Sequence, residues 1–335
     1  FLIKAGSWPL NFWLPGTYSA TMAPAAAAFA LLTKVGVYAI LRVGTLMSQD
    51  ELAASMVGPA LFYIGIGTLV AGTIGMLGAL QLARLVSYSV IASTGILLAA
   101  LGLGLEALTA PVLFYLITSV LTTGLFFLLA GMTERTRIHG AQGSGPDVSD
   151  VPDVQQAHLP AQPAYMAFGV REPDPYGTAE EVGVAIPAAM AFLGLVFVCC
   201  VLLVTGLPPL PGFVAKFTLL ATAIGVAPNN LAGPAWALCI AVLLSGFAGV
   251  IALTRVGMNL FWTVTERARP RLRVIEAAPV AILVLACIGL SAATGPVMAY
   301  LEETARSLHE PRTYIETVLG SAAATAATDS GETQP

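Results

Sequence analysis

The feature that most constrains this chain is the length of its uncharged apolar stretches. Six segments contain no Asp, Glu, Lys or Arg, and they cover residues 52–83, 85–105, 107–133, 182–215, 217–254 and 277–301. Each is longer than the roughly 20 residues that a helix needs to cross a bilayer core. The stretches are too long and too uniformly apolar for barrel strands. The sequence therefore predicts an all-α polytopic membrane protein in a lipid bilayer.

Composition narrows the possible functions. Charged residues make up 10% of the chain, against roughly 25% in an average soluble domain. The net charge of −4 argues against binding to nucleic acid. All four cysteines fall in apolar segments without ligand spacing, and we interpret them as packing residues. We therefore expect no metal site and no cofactor.

Four regions follow from the pattern along the chain. Membrane helices are predicted in residues 1–133, at about 1–13, 24–45, 56–80, 85–104 and 108–132. A polar linker with six prolines follows at 134–181, and we expect it on the cytoplasmic side because arginines concentrate there. Further spans are predicted within 182–297, at about 232–254 and 277–296 among others. The region 298–335 is predicted to be an interfacial segment with a disordered tail.

Two of the membrane segments are predicted to be broken. The stretch GLPPLPGF at 206–213 cannot continue an α-helix, although both of its flanks are apolar. Unwound backbone inside a membrane is tolerated where it is buried in protein or lines a watery cavity. The residues that we assign to the two helix breaks are Pro9, Pro15, Pro208, Pro209, Pro211 and Gly212. Glycines 65, 67, 72 and 75 fall in one span and predict close helix packing.

The distribution of basic residues is uneven. The fifteen cationic residues divide into twelve arginines, near span ends or in loops, and three lysines within apolar segments: Lys4, Lys34 and Lys216. An arginine stays protonated, whereas an amine removed from water can give up its proton near neutral pH. We therefore interpret the three lysines as candidate proton-translocating residues.

Simpler roles are open for two of these lysines. Lys4 lies near a helix end and could extend to the membrane interface. Lys216 could be a structural cation held by carbonyl groups that the break frees. No carboxylate lies in the middle of a span, so an acidic partner is expected upstream of residue 1 or on another subunit.

Three stretches carry a resemblance to a known family. They read IKAGSWPLNFWLPGTYSATMAPAAAAFALLTKVGVYAILRV, LARLVSYSVIASTGILLAALGLG and TGLPPLPGFVAKFTLL. This pattern resembles the antiporter-like membrane subunits shared by respiratory complex I and multisubunit cation/proton antiporters. Within the family, PGTYSA, LLTKVGVYAILRVG and EEVGVAIPAAMAFLG are most similar to the D subunits of Mrp (Mnh, Pha) antiporters.

The resemblance implies a fourteen-helix fold with inverted repeats and discontinuous helices. The chain starts with Phe1 rather than Met, so we expect it to begin inside the seventh helix. Lys4, Lys34 and Lys216 match the family's proton-translocating lysines, and the glutamate partner of Lys4 would lie upstream. Where the family often has a histidine, this chain has the hydroxyl residues Thr118, Ser119, Thr122 and Thr123. A relay through that span would need water, because hydroxyl groups do not titrate near pH 7.

The resulting hypothesis is an ion-transporter subunit rather than an enzyme. Protons would pass from Lys4 by way of Lys34 to Lys216, near the membrane midplane. Other membrane subunits, protons and Na⁺ or K⁺ are the expected partners, in a bacterial plasma membrane. Two alternatives remain open: a proton-pumping membrane subunit of complex I, whose redox chemistry would come from partners, and a non-transporting membrane scaffold.

Overall fold

The computed structural model describes residues 1–47, 51–142, 188–261 and 274–309. Within these ranges the regular structure is helical. The α-helices are α1 (Leu2–Ala5), α2 (Trp13–Ala20), α3 (Ala23–Met47), α4 (Glu51–Gly78), α5 (Leu82–Gly102), α6 (Thr109–Gln142), α7 (Ala188–Thr205), α8 (Pro211–Val226), α9 (Ala232–Phe261), α10 (Val274–Ala292) and α11 (Thr294–His309). One 3₁₀ turn, Glu106–Leu108, precedes α6.

Five of the described helices are long and apolar enough to cross a membrane: α3, α4, α5, α6 and α9. Helices α10 and α11 form a sixth candidate span that bends by 80° between them. The spans predicted for these regions are confirmed as apolar helices. The buried side chains of α5 make it the central helix, because most of its residues are inaccessible to solvent.

The first predicted helix is wrong in its extent. We expected a helix over residues 1–13, but α1 ends at Ala5 and helical structure resumes at Trp13. Gly6 ends α1 because it adopts φ 72°, a left-handed conformation that glycine reaches without steric cost. Pro9 lies in the interruption. Pro15, which we assigned to the break, instead lies in the first turn of α2. Proline is tolerated there because an N–H in the first turn would have no acceptor within the helix.

The second break lies between α7 and α8, at residues 206–210. Gly206 has φ 78°, and the N–H groups of Gly206 and Leu207 both donate to Leu202 O as the helix ends. Pro208 and Pro209 lie in the interruption. Pro211 and Gly212, which we also assigned to the break, form the first turn of α8, because proline suits the first helical position.

Helix α6 continues into the predicted polar linker. We expected the linker from Glu134, whereas α6 continues to Gln142. Glu, Arg and Gln in this extension are good helix formers, so the helix outlasts its apolar part. The remainder of the predicted linker, the arginine-rich segment 262–273 and the tail from residue 310 lie outside the described residues. The segment predicted to be interfacial, from residue 298, overlaps α11 (Thr294–His309), and its interfacial position stays a prediction.

Glycines hold α4 and α5 close together. A Cβ atom on Gly65 would lie 2.2 Å from Ala99 N, and one on Gly95 would lie 2.3 Å from Leu69 N. Such distances leave no room for a side chain, so the two backbones touch at these positions. The predicted close packing is confirmed, since Gly72 and Gly75 likewise lie against α5 and Gly67 faces Trp8.

This seam leads to a stability prediction. A methyl group at Gly95 must separate α4 from α5, because the atoms that it meets are backbone atoms. We expect the Gly95→Ala variant to lose about 1–3 kcal/mol of stability, measured by thermal unfolding of the full-length protein in detergent. The matched control is Gly44→Ala in α3, where a Cβ would meet nothing within 4 Å. Equal stability of the two variants would contradict the role of the seam.

Two side-chain contacts show which helix ends lie on the same side of the bundle. Arg255 of α9 donates hydrogen bonds to Leu77 O and Ala79 O, at the turn between α4 and α5. At another end, His309 of α11 lies 2.9 Å from Thr109 Oγ1 at the start of α6. Arg255 therefore lies on the same side of the bundle as the α4–α5 turn. This placement agrees with the expected arginine-rich face, whose cytoplasmic orientation stays a prediction.

Candidate functional site

The structure places the three predicted lysines in different surroundings. Lys34 lies in the middle of α3 and is only 1% exposed. Lys216 lies in α8, one turn after the second break, and lines an internal cavity. Lys4 lies in α1 and its side chain is exposed. Within the described residues, no carboxylate forms an ion pair with any of the three.

Lys34 is held by hydroxyl groups of α5. Its Nζ donates to Ser93 Oγ at 2.6 Å and to Thr94 Oγ1 at 3.1 Å. Both hydroxyls donate their own hydrogens to Val90 O, so their oxygen lone pairs are available to the ammonium. Lys34 also borders an apolar groove between α3 and α6, but its low exposure shows that the charge faces α5. The ammonium is thus solvated by neutral oxygens without a counter-charge.

Lys216 is held by the break itself. Its Nζ donates to Val204 O at 2.7 Å and to Thr205 O at 3.2 Å. These carbonyls lie in the last turn of α7, where no further helical N–H follows to donate to them. The side chain passes over Gly206, at which a Cβ would lie 2.7 Å from Lys216 Cδ. The glycine therefore both ends the helix and makes room for the lysine.

A cavity connects the surroundings of the two buried lysines. Its volume is about 40 Å³, and residues from α4 to α9 line it. The polar residues of the lining are Ser89, Ser93, Tyr115, Thr118, Ser119, Thr122, Thr123, Lys216 and Ser245. Since one water molecule needs roughly 10–15 Å³ of such volume, the cavity has room for a short water chain. Ser93 therefore belongs both to the hydrogen bonds of Lys34 and to the cavity of Lys216.

The hydroxyl residues of α6 lie where the sequence suggested. Thr118, Ser119, Thr122 and Thr123 all line the cavity, and each donates a hydrogen bond to a carbonyl of its own helix. Because their hydrogens are engaged, their oxygens can accept hydrogen bonds from water or from an ammonium. Ser93, Thr94 and Tyr115 were not predicted from the sequence, because each comes close to a lysine or the cavity only through helix packing.

The structure does not bring Lys4 into this network. The backbone of α1 touches α3 closely, since a Cβ on Gly36 would lie 3.0 Å from Ala5 N and 3.3 Å from Lys4 C. The Lys4 side chain itself has no hydrogen bond to the described residues. The structure thus brings together two of the three predicted lysines, and Lys4 remains beside the first break.

Comparison of the amino-acid sequence with those of known proteins gives three findings. Residues 1–142 match the family described as NADH:quinone oxidoreductase/Mrp antiporter, transmembrane. Two antiporter D subunits are also similar to the chain. The one from the probable K⁺/H⁺ antiporter of Rhizobium meliloti is 43% identical over 325 residues, a match covering 95% of this chain and 57% of that protein. The one from the Na⁺/H⁺ antiporter of Bacillus subtilis is 28% identical over 327 residues, covering 95% and 56%. The chain thus spans little more than half the length of these curated relatives.

Solved structures of related fold also match the chain. The Mrp complex from Dietzia sp. DQ12-45-1b contains a chain that matches with a TM-score of 0.69 and 18% identity, covering 95% of this chain and 59% of that one. An archaeal membrane-bound sulfane sulfur reductase matches with a TM-score of 0.71 and 18% identity, covering 95% and 56%. At these identities the likeness concerns the fold alone. The sequence and structure comparisons together confirm the resemblance and the all-α fold expected from the sequence.

Proposed function

We propose, from its similarity to the antiporter-like membrane subunits that include the D subunits of Mrp antiporters, that the chain is a proton-translocating membrane subunit of a multisubunit Na⁺(K⁺)/H⁺ antiporter. Two relatives are named as D subunits of a K⁺/H⁺ and a Na⁺/H⁺ antiporter, which supports this substrate class. Other membrane subunits would be its partners, and a bacterial plasma membrane its location. As a transporter subunit it would be no enzyme.

The observation that carries the proposal is the position of Ser93. Its oxygen accepts a hydrogen bond from Lys34 Nζ, and the same residue lines the cavity that Lys216 lines. A proton that Lys34 releases to water held beside Ser93 therefore needs to cross only a short water chain to reach Lys216. No other described residue is both a hydrogen-bond partner of Lys34 and part of that lining.

Coupling in this relay would come from like-charge repulsion. Two ammonium groups that share a poorly solvating interior raise each other's energy, so protonation of one favours release from the other. Each lysine would alternate between its charged and neutral forms as a proton passes. Lys4 stays in the proposal as the family's entry position, although its side chain lies outside the cavity.

The experiment compares the two hydroxyl partners of Lys34. Ser93→Ala and Thr94→Val each remove one hydrogen-bond acceptor from Lys34, but only Ser93 lines the cavity. In vesicles containing the full assembly, we expect Ser93→Ala to lower cation/proton exchange by about tenfold or more and Thr94→Val by less than about threefold. Assembly should be unchanged in both.

The pair of variants also separates the alternatives. If Ser93 served only to position Lys34, both variants would lose exchange to a similar degree. A non-transporting scaffold predicts no loss in either variant. Either of those results would refute the path through Ser93.

A further inference from the structure

One hydroxyl group in the cavity differs from the others. Tyr115 of α6 is 5% exposed and lines the cavity, yet it has no hydrogen bond with any described residue. A phenol O–H inside a protein needs a hydrogen-bond partner, which can be ordered water. The cavity is polar and roomy enough for water to meet this need. The phenol is therefore exposed to whatever the cavity contains.

The other lining hydroxyls already take part in hydrogen bonds. Six of them donate their hydrogens to carbonyls of their own helices: Ser89, Ser93, Thr118, Ser119, Thr122 and Thr123. Ser245, on α9, accepts a hydrogen bond from Thr73 Oγ1 at 3.0 Å. The six donors can hold water, because their oxygens accept hydrogen bonds. They cannot hand on a hydrogen without breaking a bond to the backbone.

A member of a proton chain must donate on one side and accept on the other. Among the described lining residues, Tyr115 has the only hydroxyl without any hydrogen bond, so both its donor and its acceptor capacity are available. We propose that the phenol of Tyr115 is the relay group that passes protons through the cavity between Ser93 and Lys216. This inference rests on the proposed function, since it assigns one step of the same proton path.

The step balances without a charged tyrosine. As the Lys34 ammonium gives a proton to a water on the Ser93 side, that water delivers one of its own protons to the phenol oxygen, and the O–H bond of Tyr115 breaks. The hydrogen of that bond passes toward a neutral Lys216 amine, directly or through water. One proton has then moved, the phenol is neutral again, and Lys216 is an ammonium. Rotation of the new O–H about the C–O bond restores the starting arrangement.

The test compares two tyrosines, one that lines the cavity and one that does not. Tyr115→Phe removes the phenol oxygen and keeps the ring, and Tyr63→Phe makes the same change in α4 at a position that is 71% exposed and outside the cavity lining. In vesicles with the complete assembly, Tyr115→Phe should lower the maximal exchange rate by roughly tenfold or more. The cation concentration that gives half-maximal rate should not change, because no cation contact is lost. Tyr63→Phe should stay within about threefold of the wild-type rate.

Two results would overturn the assignment. One is a normal maximal rate in Tyr115→Phe, and the other is an equal loss in Tyr115→Phe and Tyr63→Phe. A normal rate in Tyr115→Phe together with a lost rate in Lys34→Ala would refute this step alone. If both of those variants exchange normally, the proposed function fails as well.

Discussion

Replacing Lys34 with alanine is expected to reduce cation/proton exchange to background while the complex still assembles. Lys34 is buried, and its ammonium is bound only by the hydroxyls of Ser93 and Thr94 among the described residues. Without an amine at this position, Ser93 is left without a partner among the described residues that can release a proton to the cavity. The loss should exceed about a hundredfold, because a missing relay group cannot be replaced by hydroxyls that do not titrate.

Removing the Lys34 ammonium should not lower the stability of the fold. A buried ammonium without a counter-charge costs on the order of several kcal/mol, so its removal relieves an unfavourable burial. Lys34→Met, which keeps most of the side-chain volume, is the variant that avoids a cavity. We expect its thermal unfolding temperature to equal or exceed that of the wild type. A residue that lowers stability yet is needed for transport would be typical of a functional site.

Exchange can be measured in inverted vesicles, as the collapse of a pH gradient after addition of Na⁺ or K⁺. A suitable control is Tyr38→Phe, one turn further along α3 on an exposed position. Wild-type exchange by Lys34→Met, with normal assembly, would show that α3 contributes no titrating group to transport.

The sequence was sufficient to predict the long helices. Their apolar stretches are long enough to cross a bilayer core. The second break was also predictable, because consecutive prolines exclude a continuous helix. The limits of the breaks were not, since Pro15 and Pro211 occupy first helical turns, where proline is accepted. Composition alone also could not show that α6 continues beyond its apolar part.

The sequence predicted the lysines of the candidate site but not Ser93, Thr94 or Tyr115. Lysine is so unfavourable in a span that Lys34 and Lys216 attract attention from composition alone. Serine and threonine give no such signal, because in most spans their hydroxyls bond to their own helix. Lys34 meets Ser93 across 59 positions of sequence, a contact that only the packing of α3 against α5 creates. Tyr115 was missed for the same reason.

The surroundings of Lys216 fit two roles. Its bonds to Val204 O and Thr205 O are those of a structural cation that satisfies the carbonyls of a helix end. Its place in the lining of the cavity, together with Ser93, is that of a relay group. The two roles differ in one property only, since a relay must release its proton and a structural cation need not.

Lys216→Arg separates these roles and tests the relay most directly. An arginine can donate to the same two carbonyls and keeps the positive charge, but it does not give up its proton near neutral pH. We expect the variant to assemble and to unfold at the wild-type temperature, which verifies that arginine fits beside Gly206. In vesicles, its exchange should fall to the level of Lys34→Ala. Exchange at the wild-type rate would instead show that charge alone is required at this position, and that protons do not move by titration of Lys216.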